Sequence, residues 1–130
     1  MAKDFYNHVE RIFEKDPRYH PDAYEFVMHA LFYTQKKLKR RGHISAEELL
    51  NGIKDFTLEQ FGPMAHTVLE HWGITSTDDL GNIVFNMVEN GLLRKTEDDD
   101  IQDFRGVYDL KQVFEASYRT HLKRQIKEVK

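Results

Sequence analysis

The chain has 130 residues, no cysteine, a formal net charge of −3, 40% hydrophobic and 32% charged residues. That is the length of one domain, able to bury a core without staples, and the lack of cysteine excludes disulfides and thiolate chemistry. No run of about 18 apolar residues is present to form a transmembrane helix, and the charged start MAKDFYNHVER has no apolar signal-peptide core.

Phe5, Val9, Ile12 and Phe13 recur at i, i+4, i+7 and i+8, which predicts a first amphipathic helix broken by Asp16-Pro17. A second helix opens at His20-Pro21. Its stripe is Ala23, Phe26, Val27, Ala30, Leu31, Thr34 and Leu38, and it is expected to end at Arg41-Gly42. Ser45 and Glu48 then form a capping-box pattern, with Ile44 and Leu49 as a hydrophobic staple across it. Leu49, Leu50, Ile53, Phe56 and Phe61 supply the core face of that third helix.

Gly62-Pro63 predicts a sharp corner, because Gly closes helices and Pro opens them. Ala65, Val68, Leu69 and Trp72 give a short helix stopped by Gly73. Thr77 is read as the next N-cap, with Asp78 and Asp79 in the first turn. Leu80, Ile83, Val84, Met87 and Val88 mark the core face of the helix it opens, and Asn90-Gly91 closes it. Two short apolar segments, residues 92–96 and 104–110, flank the acidic run 97–103 and predict a two-stranded hairpin. Asp109, with Gln112 at N3, caps a last helix whose buried side is Val113, Phe114, Tyr118 and Leu122.

The fold expectation is therefore mainly α: about six helices with a small two-stranded hairpin, partly winged-helix-like. Residues 1–118 would form a single globular domain and residues 119–130 a basic C-terminal helix end or tail. Charge follows that division. Residues 44–118 carry 5 Lys/Arg against 15 Asp/Glu, residues 36–41 (KKLKRR) carry five cations and no acid, and residues 119–130 carry five cations and one acid.

Chemistry-bearing patterns are few. His66, Glu70 and His71 are the candidate metal ligands. His66 and Glu70 stand at i, i+4 and share a face, but His71 is one residue further round and points about 100° away from it. A helical zinc pair wants two histidines at i, i+4, whereas these two stand at i, i+5, so ordinary surface or half-buried polar residues are the preferred reading. Ser45 and Thr77 are explained as caps rather than nucleophiles, the glycines make no phosphate loop, and the acidic run lacks the ligand alternation of a calcium loop. No catalytic or cofactor-binding residue is singled out, and no cofactor is expected. In the winged-helix reading the recognition helix would present Asp78, Asp79, Asn82, Phe85, Asn86 and Glu89, with no Lys or Arg, so sequence-specific DNA binding is not expected. Lys36, Lys37, Lys39, Arg40 and Arg41 are the candidates for phosphate contacts without sequence preference.

The segments DPRYHPDAYEFVMHAL (16–31), HISAEELLNGIKDFTLEQFGPMAHTVLEHWGI (43–74), TDDLGNIVFNMVENGLLRKTEDD (77–99) and DFRGVYDL (103–110) closely resemble a family of short, uncharacterised bacterial proteins. The resemblance covers roughly residues 16–114. It implies a bacterial cytoplasmic protein and carries no activity, cofactor or site residue. The functional expectation is a non-enzymatic protein-interaction module with an unidentified protein partner. The alternative is a nucleic-acid-binding accessory protein that uses residues 36–41 and 119–130.

Overall fold

Several helices in this chain begin at side-chain acceptors, and three end where the backbone turns left-handed. The computed structural model describes residues 2–94 and 100–129. Within them lie α1 (Ala2–Lys15), α2 (Pro21–Leu38), α3 (Ala46–Phe61), α4 (Ala65–His71), α5 (Thr77–Glu89) and α6 (Leu110–Val129). Single 3-10 turns occupy Gly62–Met64 and Ile101–Phe104. The capping box holds: Ser45 Oγ accepts from the Glu48 N–H at 3.1 Å and Glu48 Oε1 accepts from the Ser45 N–H at 3.0 Å. Asp109 likewise accepts from the Gln112 N–H at 2.9 Å where α6 starts. His20 caps α2 through Nδ1, which accepts from the Asp22 N–H at 3.1 Å.

Three helix ends share one hydrogen-bond pattern. The Ile74 N–H donates to the Leu69 carbonyl and the Gly73 N–H to that of Glu70. Leu92 and Gly91 repeat this on Met87 and Val88, and Arg40 and Lys39 on Gln35 and Lys36. Both bonds define the Schellman closure, which needs a left-handed residue just past the helix. Gly73 has φ 90, Gly91 φ 78 and Lys39 φ 54. Helix α2 therefore stops at Leu38, before the expected Arg41-Gly42 end.

α5 packs on α1, α2 and the 101–104 turn. Its Leu80, Ile83 and Met87 are fully buried, together with Tyr24 of α2, Leu50 and Ile53 of α3, Leu69 of α4 and Ile74. α2 lies closely on α3, where a Cβ at Gly52 would stand only 1.8 Å from Thr34 Oγ1. An aromatic group continues the same α2–α3 contact toward α4: Phe26 packs against Phe56, Phe61 and Trp72 at ring separations of 5.0, 5.4 and 5.2 Å. α6 docks through Leu110 and Phe114, and its residues from 122 to 127 are exposed.

The chain is mainly helical, but the expected hairpin and wing are absent among the described residues. Residues 95–99 of that segment lie outside them. Leu92 supplies the N–H that closes α5, so the 92–94 run serves as a helix stop. On the other side, Phe104 ends a 3-10 turn and is buried against Gly81, where a Cβ would come within 2.6 Å of its own Cβ. The next N–H groups find side chains instead of a strand. Gly106 donates to Asp78 Oδ1 at 2.9 Å, and Val107 to Thr77 Oγ1 at 3.1 Å. The Tyr108 hydroxyl then donates to the Leu50 carbonyl at 2.7 Å. Backbone groups satisfied in this way have no need of a ladder partner. Thr77, expected as the cap of α5, is buried at its first position; Ser76 occupies the cap position.

Candidate functional site: an apolar cleft with a basic rim

The face of α5 that a recognition helix would present is half-buried. Of its residues, Glu89 alone is exposed. Asp79 Oδ2 accepts from the Thr75 N–H at 2.8 Å and from the Thr75 hydroxyl at 3.0 Å, and the Tyr19 hydroxyl donates to its Oδ1. Asn82 Nδ2 donates to the Tyr19 hydroxyl at 2.9 Å. Asn86 Nδ2 donates to Asp16 Oδ2 at 2.9 Å and to the Tyr24 hydroxyl at 3.1 Å. Arg18 forks onto Asp16 with contacts of 2.8 and 2.7 Å. The Arg18 fork is the chief reason that the Asp16 carboxyl titrates well below the usual carboxylate range, with Asn86 helping and partial burial opposing. Burial first, then the Asp79 carboxylate, pushes the Tyr19 hydroxyl well up. These groups, read from the sequence as outward positions, instead fasten the 16–20 loop to α5. The helix-turn-helix reading is thereby corrected, because a recognition helix needs a free face.

A concave feature lies on another side of α5. It is a cleft of about 460 Å³ between the end of α2, the 41–44 turn, the start of α3, α5, and the chain at 93–94 and 100–104. Ile44, Leu49, Val84 and Phe104 form a buried floor, and Leu31, Ala46, Phe85, Val88 and Leu93 are half-buried walls. Phe85, expected to be exposed, meets Phe104 edge-on at 6.2 Å. Arg41, His43, Arg94 and Asp100 stand exposed around the mouth. The turn carrying Arg41 is held by Gln35, whose Nε2 donates to the carbonyls of Arg41 and Gly42 at 3.3 and 3.2 Å. Asp100 is engaged in capping the 3-10 turn through the Gln102 N–H at 2.9 Å. No serine, threonine or tyrosine lines the cleft among the described residues.

The basic candidates of residues 36–41 divide into two sets. Lys37 pairs with Asp55 at 2.8 Å and Arg40 with Glu48 at 2.7 Å. The Arg40 contact, with the Ser45 N–H, holds the Glu48 carboxyl down to about 2. Lys36, Lys39 and Arg41 have no such partner among the described residues, and with Gln35 they line a shallow depression that shares Gln35 and Arg41 with the cleft. A basic surface thus runs into an apolar one. The metal candidates do not converge. His66 faces Glu70 at 3.7 Å along α4, while the His71 ring lies 6.2 Å from that of His20. Among the described residues no three His, Cys, Asp or Glu side chains gather as a metal site.

The cleft was not visible in the sequence. Leu31, Val84 and Val88 read as ordinary core stripe positions. The one available signal was the width of the apolar arc on α5, where Phe85 extends it beyond what α1 and α2 cover. Among the described residues no helix is long and apolar enough to cross a membrane. Comparison with family models, with curated proteins and with solved structures yields no match. The bacterial-family resemblance thus rests on the sequence motifs alone.

Proposed function

We propose that this chain is a non-enzymatic protein-interaction module of the bacterial cytoplasm, and that the cleft between α2 and α5 receives an apolar segment of its partner. The observation that carries this reading is the character of the cleft: a floor and walls of aliphatic and aromatic side chains, with charge only at the mouth. Half-buried apolar walls around a concavity are what a partner's anchor side chain needs, since removing such surface from water drives association. Catalysis would need a positioned nucleophile or acid–base pair within the concavity, and among the described residues the lining offers no hydroxyl. The motif resemblance to short bacterial proteins supports the compartment.

The test is capture of a partner from a bacterial lysate on the immobilised chain, in parallel with the Val88→Glu variant. Val88 is a half-buried wall residue, so a carboxylate there should reach water and leave the helix folded, which circular dichroism checks. The expected result is a stable partner held by the native chain and lost by the variant. No stable partner, alongside turnover in an unbiased substrate screen, would overturn the reading.

A second reading, a nucleic-acid-binding accessory protein, is favoured by the depression lined by Lys36, Lys39 and Arg41. It has fewer free cations than residues 36–41 promised, because Lys37 and Arg40 are paired.

A further inference from the structure

We infer that the cleft is selective for an acidic partner: a peptide segment whose apolar anchor side chains are flanked by carboxylates. The inference rests on the interaction-module reading and adds the chemistry of the partner.

Three observations lead to it. Arg41 and Arg94 stand on the mouth of the cleft, exposed and without a carboxylate partner among the described residues. Lys36 and Lys39 extend the same positive edge through the depression that shares Gln35 and Arg41. Against these cations the described lining residues hold one carboxylate, Asp100, which also caps the 3-10 turn through the Gln102 N–H. Among the described residues an occupant thus meets an apolar floor first and, along the end of α2, a cationic edge beside it.

Other occupants fit less well. A second copy could offer the exposed end of its own α6, where Leu122 and Ile126 share a face one turn apart. That face is bordered by Arg119, Lys123, Arg124 and Lys127, and it would bring cations onto a cationic rim, a juxtaposition that selects against the pairing. A nucleic-acid backbone would satisfy the rim and leave Leu31, Val88 and Leu93 facing phosphate. An apolar segment with flanking carboxylates satisfies both surfaces, in the manner of a helix laid in a groove.

The experiment uses two fluorescein-labelled synthetic helical peptides. Both carry leucines at i, i+3, i+4 and i+7; one has glutamates on the flanks and the other lysines. Binding to the full chain is read by fluorescence anisotropy at about 0.15 M salt, where charges within a Debye length of about 8 Å still interact. The glutamate peptide should bind at least about tenfold tighter than its lysine twin, with the gap narrowing as salt rises. In the Arg41→Glu/Arg94→Glu double variant the preference should reverse, while Val88→Glu should weaken both peptides. Equal binding of the twins, or a glutamate preference that survives the rim reversal, overturns the inference. So does binding of neither peptide while decanoate protects the cleft, which would mark the site as one for a small amphipathic acid. If the lysate partner is lost with Val88→Glu yet the glutamate peptide fails to bind, the acidic rule falls and the interaction module stands. If no partner exists, the module itself falls.

Discussion

Lys39 is the sole non-glycine residue with positive φ among the described residues, at φ 54. A left-handed conformation costs an L-residue with a Cβ roughly 1–2 kcal/mol, a penalty glycine escapes. Lys39→Gly should therefore stabilise the fold by about 1 kcal/mol less the entropy that glycine returns to the unfolded chain, seen as a higher denaturant midpoint. A lower midpoint would show that the lysine side chain stabilises the turn it occupies. The sequence reading placed this helix end at Gly42, because a glycine is the usual stop and nothing local marks a lysine for that role. Gly62 is the opposite case, legible from the Gly-Pro pair alone. Its φ 50 and ψ −124 lie where side chains are strongly disfavoured. A Cβ there would meet only Tyr118, at an ordinary 3.8 Å. Gly62→Val should thus cost about 1–3 kcal/mol through the backbone and not through packing. An unchanged midpoint would mean that the corner relaxes freely.

The elements were more legible than their contacts. Capping boxes, the Gly-Pro corner and the apolar stripes are local, so α3, α4 and most of α2 and α5 follow from nearby residues. Which polar groups meet across the fold is not local: Asp16, Tyr19 and Tyr24 find Asp79, Asn82 and Asn86 some sixty positions later. No spacing rule announces that pairing, and the polar stripe on α5 therefore read as solvent-facing. The hairpin failed for the same reason, since Asp78 and Thr77 capture the N–H groups of Gly106 and Val107. The loop contact has a measurable signature in acid. The Asp16 carboxyl is held below its ordinary 3.8, chiefly by Arg18, and Glu48 is held at about 2 against an ordinary 4.5, chiefly by Arg40. A carboxylate with a depressed folded pKa contributes stability above its unfolded value and loses it as pH falls toward the folded one. The native chain should accordingly lose stability as pH drops from about 4.5 to about 2, the interval set by Glu48, with Asp16 adding to the loss from 3.8 downward. Asp16→Asn should be less stable at neutral pH and show a shallower acid slope, by urea melts across that interval. An equal slope in variant and native chain would mean that Asp16 gains nothing from Arg18 in the folded state.

At the scale of the whole molecule, the charge pattern read from the sequence acquires a location, and that location decides how a polyanion is met. The acidic stretch 44–118 contains α3, α4 and α5, whereas Lys36, Lys39 and Arg41, without a carboxylate partner among the described residues, sit at one end of α2 beside the cleft. The cleft itself was hidden from sequence reading, because its walls use the same stripes that fill the core and only the packing of α1 and α2 leaves part of α5 uncovered. Counterion release gives a binding slope of about 0.9 per neutralised phosphate on duplex DNA. Within residues 36–41, three cations without a carboxylate partner among the described residues support a slope of only about 2.7, about three fifths of what five would give. The acidic body opposes even this, since its repulsion is screened only beyond about 8 Å at 0.15 M salt. The expected outcome is no measurable shift of mixed-sequence DNA or RNA at micromolar protein and about 0.15 M salt, with association appearing only at low salt. Lys36→Gln, Lys39→Gln and Arg41→Gln together should abolish that low-salt binding, while Lys37→Gln should leave it nearly unchanged because Asp55 already neutralises Lys37. A tight, saturable complex at the higher salt would instead make the basic depression the working surface of the molecule and the cleft its neighbour.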